Sequence, residues 1–127
     1  MSEFHQIDLR SIRDSRGLLT VVEEVLPFAI RRIFWVTGAS GELRGGHRHH
    51  VTRQALVAIV GSIEVHLDDG VKRYTARLES PSRCLIVEPD DWHTMRFGNG
   101  AVLLVMASHT YDPSDYITTA YGPETHA

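Results

Sequence analysis

The chain holds a single cysteine, Cys84, so no disulfide can form within it and its stability has to come from a packed core. Cys84 sits in the apolar run Cys84-Leu85-Ile86-Val87, where a thiol behaves as a small buried hydrophobe. No apolar stretch approaches the roughly 20 residues of a membrane-crossing helix, and Met1-Ser2-Glu3-Phe4-His5-Gln6 lacks the basic and then apolar pattern of an export signal. A cytoplasmic protein is expected, with no membrane partner. Positive charge is not in excess either. Thirteen Lys and Arg stand against sixteen Asp and Glu, a formal net charge of -3, so the overall field attracts neither nucleic acid nor an anionic membrane. An anionic ligand would have to be met by a local cluster of arginines. Helical periodicity is almost absent. Only Asp112-Pro113-Ser114-Asp115-Tyr116 has the form of one helical turn, with Asp112 as N-cap and Pro113 in the first position.

What is present is a series of short runs rich in Val, Ile and Leu, separated by Gly, Asp, Asn or Pro, which is the pattern of an all-β sandwich or barrel. The runs predict strands over 18–24, 30–37, 54–60, 62–67, 72–78, 84–87, 92–97 and 102–107. Asp68-Asp69-Gly70 reads as a tight hairpin, Phe97-Gly98-Asn99-Gly100-Ala101 as a second one, and Gly61 as a third turn or a bulge. About eight strands in 127 residues, of which 43% are hydrophobic, imply a single domain over 1–127, built as a jelly roll closed into a small β-barrel. The runs 55–60 and 102–106 are apolar on both faces, and one barrel covers only one of them. A second subunit is the simplest cover for the other. A homodimer is expected, with N-terminal strands such as 18–24 exchanged between subunits.

The chemistry concentrates in Arg44-Gly45-Gly46-His47-Arg48-His49-His50. On a strand, His47 and His49 project from the same face and His50 from the opposite one. A third histidine follows in Pro89-Asp90-Asp91-Trp92-His93, and together the three can build a polar site in the mouth of a small barrel. Imidazole has an unperturbed pKa of about 6.5, so a pair of them can take and return protons near neutral pH or can bind a metal. His5, His66, His109 and His126 are expected to be structural or simply exposed. Arg31 and Arg32 must point to opposite faces of their strand, so at most one meets a ligand.

Several segments carry a resemblance in their order and spacing. They are Asp14-Ser15-Arg16-Gly17-Leu18, Val22-Glu23-Glu24, Pro27-Phe28-Ala29-Ile30-Arg31-Arg32, Arg44-Gly45-Gly46-His47, Leu67-Asp68-Asp69-Gly70, Pro89 to His93 and Tyr111 to Ile117. With them the chain resembles the cupin superfamily, and within it the nucleotide-sugar 3,4-ketoisomerases that act on dTDP-4-keto-6-deoxyglucose. The resemblance implies a dimeric enzyme without metal or cofactor that moves a carbonyl from C4 to C3 of the sugar, in the supply of amino-deoxy sugars. It implies His49 as the carbon base and His47 as the proton shuttle between oxygens, two roles that could be exchanged. Arg16, Arg32, Trp35, Arg44 and His93 are the expected substrate-binding residues. Arg44 or His93 would serve the developing enediolate, and Arg16, Arg31, Arg32 or Arg44 the pyrophosphate.

The chain departs from that family at Phe34-Trp35, where relatives carry tyrosine, and at Arg48 and His50. Two other classes compete. The first is a metal-dependent cupin, for which Gly41, His47, His49, Gln54, Gly61 and His93 fit the general spacing except that glutamine replaces the usual glutamate, removing charge that a divalent ion favours. The second is a silent sugar-nucleotide-binding cupin.

Overall fold

A computed structural model describes residues 3–122. Two five-stranded antiparallel sheets pack face to face. The first has the order β1 (Gln6–Asp8), β9 (Arg83–Val87), β6 (Gln54–Val60), β11 (Val102–Ala107) and β4 (Arg32–Val36). The second runs β12 (Tyr116–Ile117), β5 (Leu43–His49), β10 (Trp92–Phe97), β7 (Ile63–Asp68) and β8 (Arg73–Leu78). Alternating residues of each strand meet between the sheets: Leu56, Ala58, Leu85, Val87, Leu103 and Val105 from the first, and Ile63, Val65, Leu67, Leu78, Met95 and Phe97 from the second. All twelve are buried, and such a period-2 core is what places side chains of known parity inside the barrel.

The architecture is the expected all-β jelly roll, but its connections correct two readings. The 68–70 turn does close a hairpin, β7 onto β8. The 98–101 turn does not. It carries the chain from β10 in one sheet to β11 in the other, as Gly61 does between β6 and β7. A turn sequence fixes a reversal of direction and leaves the pairing partner to the sheets. The second correction concerns the doubly apolar strands. The outer face of the first sheet is covered in large part by this same chain. Ala55, Val57, Cys84, Ile86 and Met106 pack there with Leu9, Ile7, Val22, Leu26 and Phe28, so the chain's own N-terminal third covers it. The cover stops short of β4, where Ile33 and Trp35 remain 54% and 66% exposed.

Only the front of the 18–24 run forms a strand. β3 (Gly17–Val21) pairs with β2 (Arg10–Asp14) in a hairpin that is hydrogen-bonded to neither five-stranded sheet. The lone turn of 3-10 helix at Pro113–Asp115 is capped as expected, with the Asp112 carboxylate accepting from the Ser114 amide at 3.0 Å.

One irregularity positions the site. Along the β5–β10 ladder Met95 lies opposite Arg44, Thr94 opposite Gly45, and His93 opposite His47, so Gly46 is an extra residue that β10 does not match. A bulge of this kind reverses the parity of the strand beyond it. Arg44 therefore shares the inner face with His47 and His49, although residues three apart on a regular strand would face opposite ways. Gly45 and Gly46 make the bulge with φ of 88° and 80°, a region that costs a residue with a Cβ about 1–2 kcal/mol. At Gly45 the space is also closed, since a Cβ would stand 2.7 Å from the His93 carbonyl oxygen and 3.2 Å from the Thr94 Cα. At Gly46 nothing lies within 4 Å. Gly45→Ala should lower the free energy of unfolding by about 3 kcal/mol and Gly46→Ala by only about 1 kcal/mol, measured by urea denaturation. Equal losses would show that backbone approach across the bulge is not what requires glycine.

Candidate active site

The bulged strand β5, β4 along most of its length and the inner faces of β6, β10 and β11 line a cavity of about 380 Å³. Two imidazoles, His47 and His93, line it, and His49 lies next to them, 2% exposed and not among the lining residues. The ring centroids of His47 and His49 are 4.9 Å apart, those of His47 and His93 4.6 Å, and those of His49 and His93 5.8 Å. Tyr116, brought in by the short pairing of β12 with β5, places its ring 4.7 Å from both His47 and His49. Sequence reasoning included Tyr116 in a motif without giving it a role. No local signal marks a two-residue strand as the neighbour of the histidine pair. His50 is exposed just past the end of β5, and His126 lies outside the described residues. His66 is tied on the outer face to Thr75 and Glu64, and His109 to Ser108, in line with their structural assignment.

Burial sets the charge state of the three rings. Desolvation lowers the pKa of His47, with a backbone hydrogen bond to Gly45 working the other way. His49 is pushed to about 4, first by burial and then by the charge of His47, with Arg32 adding to the effect and Asp115 opposing it. His93 is pushed to about 3, again chiefly by burial. All three are therefore neutral at pH 7. The Nδ1 of His93 lies 3.0 Å from the Asp91 carbonyl oxygen, and since a carbonyl only accepts, that nitrogen carries the proton. The Nε2 of neutral His93 is then an acceptor. This corrects the idea that His93 could donate to an enediolate; it can take a hydrogen bond from a sugar hydroxyl instead.

The expected binding residues separate into three groups. Arg32 and Arg44 both line the cavity, and none of the residues lining it is a carboxylate. Arg32 lies over the rings of Phe34 and Tyr111, at 4.4 and 5.3 Å. Trp35 borders the cavity, but its side chain falls on the outer parity of β4 and is largely exposed, while Phe34 packs against the core. The aromatic on the inside is thus Phe34. Arg31 lies apart, beside Phe28, Arg53 and His109. Arg16 is at the tip of the β2–β3 hairpin, bonded to Asp14 at 2.6 Å and outside the cavity of its own chain. A tip arginine shows no such separation in sequence. Of the residues that fit the metal-cupin spacing, Gln54 lines the cavity with His47 and His93, and among the described residues no three His, Cys, Asp or Glu side chains are arranged to hold an ion.

A jelly roll whose mouth gathers neutral imidazoles and arginines is a cupin arranged for acid–base work on an anionic ligand. A family model described as "FdtA: WxcM-like, C-terminal" matches residues 2–121, and the chain belongs to that family. It is 42% identical over 115 residues to the TDP-4-oxo-6-deoxy-alpha-D-glucose-3,4-oxoisomerase of Aneurinibacillus thermoaerophilus, covering 87% of this chain and 83% of that one. Among solved structures it is similar to the sugar 3,4-ketoisomerase QdtA of Thermoanaerobacterium thermosaccharolyticum in complex with TDP, at 34% identity and a TM-score of 0.88 over 94% of this chain and 90% of that one. It is also similar to the WlaRB TDP-quinovose 3,4-ketoisomerase of Campylobacter jejuni, at 33% identity and a TM-score of 0.89 over 94% and 95%.

The depressed imidazoles have a consequence for stability. An unfolded histidine titrates near 6.5, so below that pH the unfolded chain binds protons that folded His47, His49 and His93 refuse. The stability that depends on keeping them neutral is present above pH ~6.5 and is lost as the pH falls toward their folded values, by roughly 1.4 kcal/mol per pH unit for each ring. Urea denaturation at pH 7, 6 and 5 should show this fall, and His93→Gln should make it less steep by about one proton. A flat profile would mean that the rings are not desolvated.

Proposed function

We propose that this chain is a metal-independent 3,4-ketoisomerase that converts TDP-4-keto-6-deoxyglucose to a TDP-3-keto-6-deoxyhexose, within deoxysugar biosynthesis. The observation that carries this reading is the pair of neutral imidazoles 4.9 Å apart beside two arginines with no carboxylate among the lining residues. The reaction needs a base at C3, an acid at C4 and a proton carrier between the two oxygens, and it needs no oxidant or reductant. His49 takes the proton from C3, and the C3–H electrons become the C3–C4 double bond as the C4 carbonyl becomes an enediolate. His47 removes the proton from the C3 hydroxyl and returns it to the C4 oxygen. The enediol then collapses to a C3 carbonyl as the His49 imidazolium, after exchange with solvent, delivers a proton to C4 and returns to its neutral form. Arg44 and Arg32 supply fixed positive charge for the pyrophosphate and for the developing enediolate. His93 accepts a hydrogen bond from a sugar hydroxyl.

The enzyme is a cytoplasmic homodimer in this reading, with β2–β3 hairpins exchanged. Two features support it. A two-stranded ribbon is marginal alone in water, and here Ile12, Leu18 and Leu19 stay 47%, 44% and 58% exposed on it. The edge strand β4 offers Ile33 and Trp35 as an apolar counterpart. Exchange would also carry Arg16 away from its own chain and toward the partner's cavity, where it can meet the nucleotide. Among the described residues no helix is long and apolar enough to cross a membrane.

In D2O the wild-type enzyme should place deuterium at C4 of a new 3-keto product, seen by NMR after treatment with a chelator. His49→Asn should lower that rate by at least about 10³-fold while TDP binding, measured by calorimetry, stays within about threefold. Full activity in this variant would remove His49 from its role. Sedimentation equilibrium should give twice the chain's 14.3 kDa, and Trp35→Arg should shift the protein toward monomer. A monomeric wild type would end the exchange reading.

A further inference from the structure

Asp115 is a buried carboxylate that no step above uses. It is 7% exposed and immediately precedes Tyr116, the residue paired with His49 across the β5–β12 ladder. Its main-chain carbonyl accepts from the His50 amide at 3.0 Å. Its side chain accepts from the amides of Val51 at 2.9 Å and Thr52 at 3.3 Å, and from the Thr52 hydroxyl. One residue thus ties down the three positions that follow His49. Burial works against its charge, but these donors and the nearby His49 outweigh it and hold the carboxyl below its ordinary range, so it is ionised at neutral pH.

The groups facing His49 come from four elements: His47 from its own strand, His93 from β10, Arg32 from β4, and Tyr116 and Asp115 from β12 and the turn before it. Only Asp115 among them is negative. Arg32, and the other two histidines whenever they are charged, oppose a proton on His49.

We propose that Asp115 is the positioning residue of the general base. It anchors the 50–52 turn that ends the His49 strand and supplies a fixed negative charge beside the imidazolium that forms when His49 takes the substrate proton. This rests on the reading of His49 as the carbon base. Asp115 stays ionised throughout, and the proton taken by His49 from C3 is not passed on to the carboxylate. Because its oxygens are already held by three donors, the carboxylate stabilises the developing cation without having to reorient. Without it, no carboxylate among the protein groups facing His49 would offset Arg32.

Asp115→Asn tests this, because the amide is isosteric and its oxygen can still accept from the turn. We expect kcat to fall by about 10- to 100-fold with KM within about twofold, and the acid limb of kcat/KM to move about 1 pH unit lower. A purely structural role would lower the melting temperature and kcat but leave the limb in place, and that result would overturn the proposal. The same charge is read without turnover by following the His49 ring by NMR in the free protein. Its midpoint, near 4 in the wild type, should drop in Asp115→Asn, and equal midpoints would overturn the proposal. The reciprocal measurement does not require that variant to fold. The Asp115 carboxyl midpoint should rise in His49→Asn relative to wild type, since binding linkage is mutual, and no rise would be equally fatal. These titrations stand whether or not the chain isomerises the sugar. Their failure is therefore distinct from failure of the ketoisomerase reading, which would show as no solvent deuterium in the wild-type reaction.

Discussion

The geometry of the site depends on one extra residue in one strand. A β-strand alternates its side chains without exception while its pairing is regular, so a site that needs Arg44, His47 and His49 on the same face cannot be built on an unbroken ladder. Gly46 breaks it. The neighbouring Gly45 lets the β5 backbone come against the His93 carbonyl, so the strands stay together across the irregularity. His93, directly across from His47, completes the set from the other strand. The core on either side is regular, and that regularity allows a single bulge to re-aim an arginine without disturbing Met95 and Phe97 behind it.

A second balance is electrostatic. Three imidazoles crowded within 6 Å of one another repel as cations, and burial adds to the cost of charging them. The site therefore rests with its histidines neutral and its permanent positive charge on Arg32 and Arg44. This division suits a reaction in which the same side chains must both accept and release protons while the ligand stays anionic. A carboxylate placed directly in the cavity would bind one of these cations and compete with the ligand. The negative charge that does approach the pair sits behind the strand, in Asp115, and is occupied by donors from the backbone and from Thr52.

Much of this was legible in the chain itself. The short β-branched runs specify strands, Asp112 and Pro113 specify their turn, and the two-residue spacing of His47 and His49 specifies a shared face because it depends only on local geometry. What could not be read depended on which strand lies next to which. The parity of Arg44 relative to the histidines is hidden until Gly46 is known to be unmatched by β10. Phe34 and Trp35 are adjacent and both aromatic, and only the register of β4 against β11 decides that Phe34 faces inward. The 98–101 turn has hairpin composition yet links two sheets. Tyr116 and Asp115 matter through a pairing two residues long, too short to leave a periodic signal. The β2 strand, Arg10–Asp14, is exposed along its whole length and so has no apolar alternation to reveal it.

Cys84 gives the fold an experimental convenience. Its side chain is fully buried in the outer cluster, on the strand next to β1, and desolvation pushes its thiol to about 12. At neutral pH only on the order of one molecule in 10⁵ then carries a thiolate, and that one is shielded from reagents. To a maleimide or a nitroxide label the native protein behaves as cysteine-free. A single cysteine introduced at the hairpin tip or on β4 would therefore report alone, and distances between labels on two copies could be measured on a background that needs no prior mutation.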